Sequence, residues 1–199
     1  MKKKCFAFIA FASLSSFSFS TNLTLTAVAD DTFTAFVSTN ATVQGTQFLT
    51  QGSATWQSGT VSNTITLTPG MTNYINISAR DVFGAPSMLA AALSLSDAGF
   101  AFNDNTQSIV SANDSNWTAS LIGFGGATTS ITDLGPNGTS PWSNFGTLPA
   151  SARLIWTPGA VQDTRFFQVA VNPVPEPATM VIVGSLAALA AKRRFKKSK

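Results

Sequence analysis

The chain reads as all-β, an antiparallel sandwich or barrel. Short runs of alternating apolar and polar residues recur along it with the two-residue period of half-buried strands. Turn residues punctuate the gaps between those runs. The composition is rich in Thr, Ser, Asn, Phe and Val and poor in Lys and Glu, which favours strands and polar turns over helices. At 199 residues the chain fits one domain with tails, enough to bury a core.

Residues 1–20 have the layout of a secretory leader: Lys2-Lys3-Lys4, an apolar stretch from Cys5 to Leu14, then small Ser-rich residues. Two cleavage points compete. Ser18-Phe19-Ser20 gives a mature start at Thr21, and Ala27-Val28-Ala29 gives a start at Asp30. Leu23, Leu25 and Ala27 already alternate with Asn22, Thr24 and Thr26 as a strand does, so the cut after Ser20 is favoured.

Further strands are expected at Phe33, Ala35 and Val37, then at Ile65 and Leu67, ending at the Pro69-Gly70 turn. Ile75, Ile77 and Ala79 mark the next. Met88 to Leu95 is apolar enough for a helix, but Leu93-Ser94-Leu95-Ser96 keeps a two-residue period, which argues for a strand with Leu89, Ala91, Leu93 and Leu95 on one face. Gly123 to Phe145, rich in Gly, Thr, Ser, Asn and Pro, reads as a long surface excursion. Arg153 to Trp156 and Phe166 to Val171 are the last strands. Asn172 to Pro177 reads as a proline-stiffened linker.

The C-terminal segment, 174–199, is built differently. Pro175-Glu176-Pro177 is followed by an apolar run over 178–191 and a basic tail containing Lys192, Arg193, Arg194, Lys196 and Lys197. An apolar run ending in cations is a stop-transfer pattern, with the cations kept on the cytoplasmic side. Its 14 residues span about 21 Å as a helix, against about 30 Å of hydrocarbon, which suits a transient stop better than a permanent anchor.

Charge and composition exclude much. The cations cluster at the two ends, leaving Arg80, Arg153 and Arg165 against eight aspartates in the body, so no basic groove for nucleic acid exists. With no histidine, Ser-His-Asp triads, Cys-His pairs and His-based zinc sites are excluded. The single cysteine, Cys5, sits in the leader, so the mature body has neither disulfide nor thiol nucleophile.

An enzyme would have to use aspartates. Asp30 and Asp31 are adjacent, and neighbours on a strand point to opposite faces unless the strand bends, so their expected place is a strand junction. Asn103-Asp104-Asn105 with Asn113-Asp114-Ser115-Asn116 offers oxygen ligands without the spacing of a calcium loop, and reads as Asx turns. Trp117 and Trp156 read as core, and Trp142 is the best candidate for an exposed sugar-stacking ring. No catalytic, metal or cofactor site is assigned, and no ligand-binding residues.

The string Val174-Pro175-Glu176-Pro177-Ala178-Thr179, with the small-residue apolar run and the Arg/Lys tail behind it, resembles the PEP-CTERM sorting signal. That resemblance implies export by a Gram-negative bacterium and recognition of Pro175, Glu176 and Pro177 by an exosortase, a membrane-embedded, cysteine transpeptidase-like enzyme. It further implies a precursor held in the inner membrane, then delivery to the cell surface or extracellular matrix.

The body carries a second resemblance. Leu25 to Phe33, Pro69-Gly70 with Tyr74 to Ala79, Ala90 to Leu95, Asn116-Trp117, Ser140-Pro141-Trp142 and Ala152 to Trp156 are similar, in order, to the galactose-binding-like jelly-roll family. The chain departs from that pattern after Val37, where Ser38-Thr39-Asn40-Ala41 stands in place of an Asn-Gly turn. The expected fold is therefore an all-β, antiparallel jelly-roll β-sandwich over 21–173, behind a leader at 1–20 and ahead of the sorting segment at 174–199.

The functional expectation is a non-enzymatic, exported surface or matrix protein. The alternatives are a carbohydrate-binding module that retains exopolysaccharide, and an Asp-based glycoside-acting enzyme.

Overall fold

A computed structural model gives the fold of residues 20–52, 55–159 and 163–174. Regular structure among the described residues is strand, apart from a 3-10 turn at Trp56–Ser58, and the strands form two antiparallel sheets. No helix among the described residues is long and apolar enough to cross a membrane. The expected leader up to Phe19, the Pro175-Glu176-Pro177 motif, the 178–191 run and the basic tail lie outside the described residues.

The alternating runs become strands. β1 (Asn22–Asp30) buries Leu23, Leu25 and Ala27 and turns Asn22, Thr24 and Thr26 the other way. It lies between β4 (Val61–Thr66) and β6 (Met88–Leu95), with Leu25 opposite Asn63 on one side and Leu93 on the other. Past β6, the first sheet continues through β12 (Arg153–Trp156) and β11 (Thr132–Pro136), while β8 (Ser108–Val110) pairs with the other half of β6.

The second sheet is built on β13 (Thr164–Pro173). On one side it pairs with β5 (Asn73–Arg80), followed by β2 (Thr32–Ser38) and β3 (Thr46–Thr50). On the other it pairs with β9 (Trp117–Ser120), which carries β10 (Thr128–Thr129), and with β7 (Phe100–Ala101). Because the chain changes sheet at most connections, few consecutive strands are neighbours.

The main core fills the space between the sheets. Leu25, Ala29 and Leu93 from the first meet Phe33, Ile77, Phe167 and Val169 from the second. Each such Leu, Ile or Phe contributes about 1.5–3 kcal/mol by leaving water. A second apolar cluster lies on the outer face of the first sheet: Val28, Met88, Ala90 and Leu154 from the strands, under Trp142, Phe145 and Leu148.

This second cluster corrects the reading of Gly123 to Phe145 as a surface excursion. The segment holds β10 and β11 and buries Ile131, Trp142 and Phe145. Its polar residues serve turns and side-chain bonds that tie it down. It also explains Met88 to Leu95, expected to bury one face: Met88 and Ala90 are covered by the outer cluster, Leu89 and Ala91 by the main core. A strand covered on both faces reads as a continuous apolar run. The expected linker begins later than Asn172, since Asn172 and Pro173 still pair with Ala101 and Phe100.

Buried amides do the work of missing strand partners. Gln51 accepts from the Ala29 N–H at 2.8 Å and donates to the Ala29 carbonyl at 3.0 Å. Asn73 does the same to Thr68 at 2.9 and 3.0 Å, and Asn137 to Phe145 at 2.9 and 3.0 Å. An amide carries both a donor and an acceptor, so one side chain can satisfy both backbone groups of a residue.

Candidate functional site

The body has two poles. At the near pole, the chain enters and leaves together. The Thr21 hydroxyl donates to Asp97 at 2.6 Å, the Gly99 N–H donates to the same carboxylate oxygen at 2.9 Å, and the Val174 N–H donates to the Gly99 carbonyl at 3.0 Å. A Cβ at Gly99 would stand 2.7 Å from the Thr21 hydroxyl, so only glycine allows this approach. The Asp97 turn thus clasps both ends of the body. β13 ends here at Pro173, just before Pro175, Glu176 and Pro177 in the sequence. Those three residues and Lys192, Arg193, Arg194, Lys196 and Lys197 lie outside the described residues.

The far pole lies at the other end of β1, about 27 Å away at roughly 3.3 Å per strand residue. Here β1 stops at Asp30, the chain bends at Asp31, and β2 begins at Thr32. The junction expectation holds, and the two carboxyls take different partners, Asp30 the Trp142 indole N–H and Asp31 the backbone of Val82 and Phe83.

Asp31 is buried and accepts from the Val82 and Phe83 N–H groups at 2.7 and 3.0 Å. Asp81, also buried, accepts from the Gly84 N–H and the Ser87 hydroxyl, both at 2.6 Å. Asp30 accepts from the Trp142 indole N–H at 2.8 Å. Burial pushes the Asp30 carboxyl up to about 7; the neighbouring Asp31 and Asp81 carboxyls add to the rise, and the Trp142 bond opposes it. The two buried aspartates spend their oxygens on holding the 81–87 loop.

The other candidates fall as follows. Trp142, the best candidate for exposure, is 5% exposed, because its ring fills the outer cluster and its N–H reaches Asp30. Trp117 and Trp156 are core, as expected, and Trp56 is half-buried edge-on to Phe145.

The Asx cluster is a set of turns. Asp104 accepts from the Thr106 N–H and hydroxyl, Asp114 from the Asn116 N–H, and Asn116 donates to Asp104 and accepts from its N–H. Burial raises the Asp104 carboxyl, but its bonds from Thr106 and Asn116 outweigh that and hold it below the usual range.

Asp104, Asp114 and Asn116 also wall a groove of about 530 Å³ on the outer face of the first sheet, floored by Thr24, Thr26, Ser94 and Ser108. Thr147, Pro149 and Ser151 form the opposite wall, and neither a cation nor an aromatic ring lines it. Sequence reasoning missed this groove because its floor comes from three strands distant in the chain. Its sequence signals were the outward threonines and serines of β1 and β6 and the Asx cluster, which was read as turns and supplies one wall.

No protein-family model matches the chain, and neither a curated protein nor a solved structure matches it. What the geometry defines is a two-sheet antiparallel β-sandwich with both ends of the body at one pole.

Proposed function

We propose that this chain is an exported bacterial surface or extracellular-matrix protein, in which a non-enzymatic jelly-roll body is delivered through a secretory leader and sorted by an exosortase-type enzyme. The observation that carries the reading is the ordered tail: Pro175-Glu176-Pro177, an apolar run, then cations.

Two features of the body support it. A sandwich whose ends leave from one pole stands off a membrane on a single stalk, with the opposite pole directed outward. The frequent change of sheet along the chain is the connectivity a jelly roll requires. Mass spectrometry of the mature protein from its host tests the reading. It should find a chain that starts at Thr21 and lacks the apolar run and basic tail. A mature chain that retains Lys192 to Lys199 would contradict the sorting step.

A second reading is favoured by the groove. Its hydroxyl floor and lack of cations suit a neutral polysaccharide rather than an acidic one. Affinity electrophoresis through gels of neutral and acidic glycans tests it: retardation by neutral polymer alone supports it, and unchanged mobility in both rejects it.

A further inference from the structure

We propose that a glycan held in the groove runs on into a neighbouring cavity and stacks one sugar ring on Trp56. The inference rests on the polysaccharide reading of the groove and adds the aromatic contact that the groove itself lacks.

A row of paired hydroxyls joins the two places. Thr24 bonds to Thr64 at 2.7 Å and Thr26 to Ser62 at 2.9 Å, across β1 and β4. Just ahead of β4, the Thr60 hydroxyl bonds to that of Thr147. Thr60, Ser62 and Thr64 follow the two-residue period of one strand face. From Thr64 to Thr60 the row covers about 13 Å at roughly 3.3 Å per residue, longer than a single sugar ring. Thr24 and Thr26 floor the groove, Thr60 lines a cavity of about 350 Å³, and Thr147 lines both. Each hollow falls within the roughly 300–1,000 Å³ of ordinary ligand sites.

Trp56 is held at this cavity by its own turn. The Thr55 hydroxyl accepts from the Gln57 N–H at 3.3 Å, and the Gly59 N–H donates to the Trp56 carbonyl at 3.0 Å. Gly59, at a φ of 81°, then leads the chain into Thr60. The ring packs edge-on with Phe145, centroids 6.3 Å apart, and stays half-buried. Trp117, Trp142 and Trp156 are 3%, 5% and 8% exposed, so Trp56 is the tryptophan of this chain that is open to a ligand.

The cavity has the chemistry to take a sugar. A pyranose ring has a face of C–H groups, which the electron-rich face of an indole attracts, and a rim of hydroxyls. Gln57, Ser143 and Asn144, all exposed, supply donors and acceptors for that rim. No charged side chain lines the cavity, and the charged groups on the groove are the Asp104 and Asp114 carboxyls. An acidic chain would meet like charge there, so the occupant is a neutral oligosaccharide.

The test applies three soluble neutral polymers, a β-glucan, a β-galactan and an α-glucan, to the full-length chain in mild detergent. Acrylamide reaches exposed tryptophan, so the quenchable fluorescence of the natural chain comes from Trp56. At least one polymer should retard the natural chain in affinity electrophoresis, and that same polymer should shield the fluorescence from acrylamide. Trp56→Ala should weaken the retardation roughly tenfold, and Trp56→Phe should restore part of it. Unchanged mobility in all three polymers would reject the glycan reading of the groove, and the Trp56 contact with it. Retardation without shielding, or retardation equal in Trp56→Ala, would leave the groove reading standing and overturn the Trp56 contact. The quenching readout needs only the natural chain, so it decides the matter even if Trp56→Ala does not fold.

Discussion

At the scale of single residues, the body is held by side chains that complete the backbone's hydrogen bonding. Gln51 is the clearest case: it is 4% exposed and serves Ala29 and Asp31 at once. Gln51→Leu keeps the volume but leaves an N–H and two carbonyls buried without that partner. At about 1–3 kcal/mol for a buried group left unsatisfied, with partial relaxation, a loss of about 3 kcal/mol is expected in urea unfolding. A loss under about 1 kcal/mol would mean that water replaces the amide.

Carboxylates at the surface act in the acid range. The Thr21 hydroxyl and the Gly99 N–H hold Asp97 below the usual carboxylate range, and the Arg165 guanidinium and Thr164 N–H do so for Asp163. Their folded values are depressed, so their contribution is present above about pH 4 and is lost as the pH falls through those values. Thermal melts from pH 5 to pH 2 should therefore show falling stability, less steeply in Asp97→Asn. Little at this scale was legible in the sequence. Asp30-Asp31 was recognisable as a junction, but which carboxyl meets Trp142 or Asp81 depends on tertiary contacts that no local spacing encodes.

At the scale of elements, the sequence was more informative. The two-residue period marked β1, β2, β5 and β13 because each alternates between the main core and a less buried face, while β6 and β12, covered on both faces, stood out as apolar runs. It failed where burial departs from that pattern. β7 and β10 have two residues each, too short for any period, and the 137–152 cover buries Trp142, Phe145 and Leu148 from an irregular segment.

β1 carries a direct consequence for processing. It is flanked on both sides, by β4 and β6, so a mature chain starting at Asp30 would lose an interior strand rather than an edge. A gene fusing the leader directly to Thr21 should yield a folded, protease-resistant body. A fusion to Asp30 should yield none, because Leu23, Leu25 and Ala27 leave the core and β4 loses its only partner in the first sheet among the described residues. Equal protease resistance of the two products would contradict this.

At the scale of the whole molecule, the two ends carry different duties. The near pole gathers both ends of the described body at the Asp97 turn. The far pole carries the 81–87 loop and the pocket that this loop lines with Trp142. The proposed sorting motif rests on the sequence alone, as a linear string read in order and position, and lies outside the described residues.

Pro175 and Pro177 flank Glu176 in the proposed sorting motif. Glu176 is the only glutamate of the chain, so replacing it removes the one negative charge the proposed motif offers. The most direct measurement is an immunoblot of fractionated host cells carrying Glu176→Gln, Glu176→Ala or the control Asp163→Asn. Both Glu176 variants should accumulate as full-length precursor in the inner membrane, while the control is trimmed and released. Normal trimming and release of both Glu176 variants would contradict sorting through this motif.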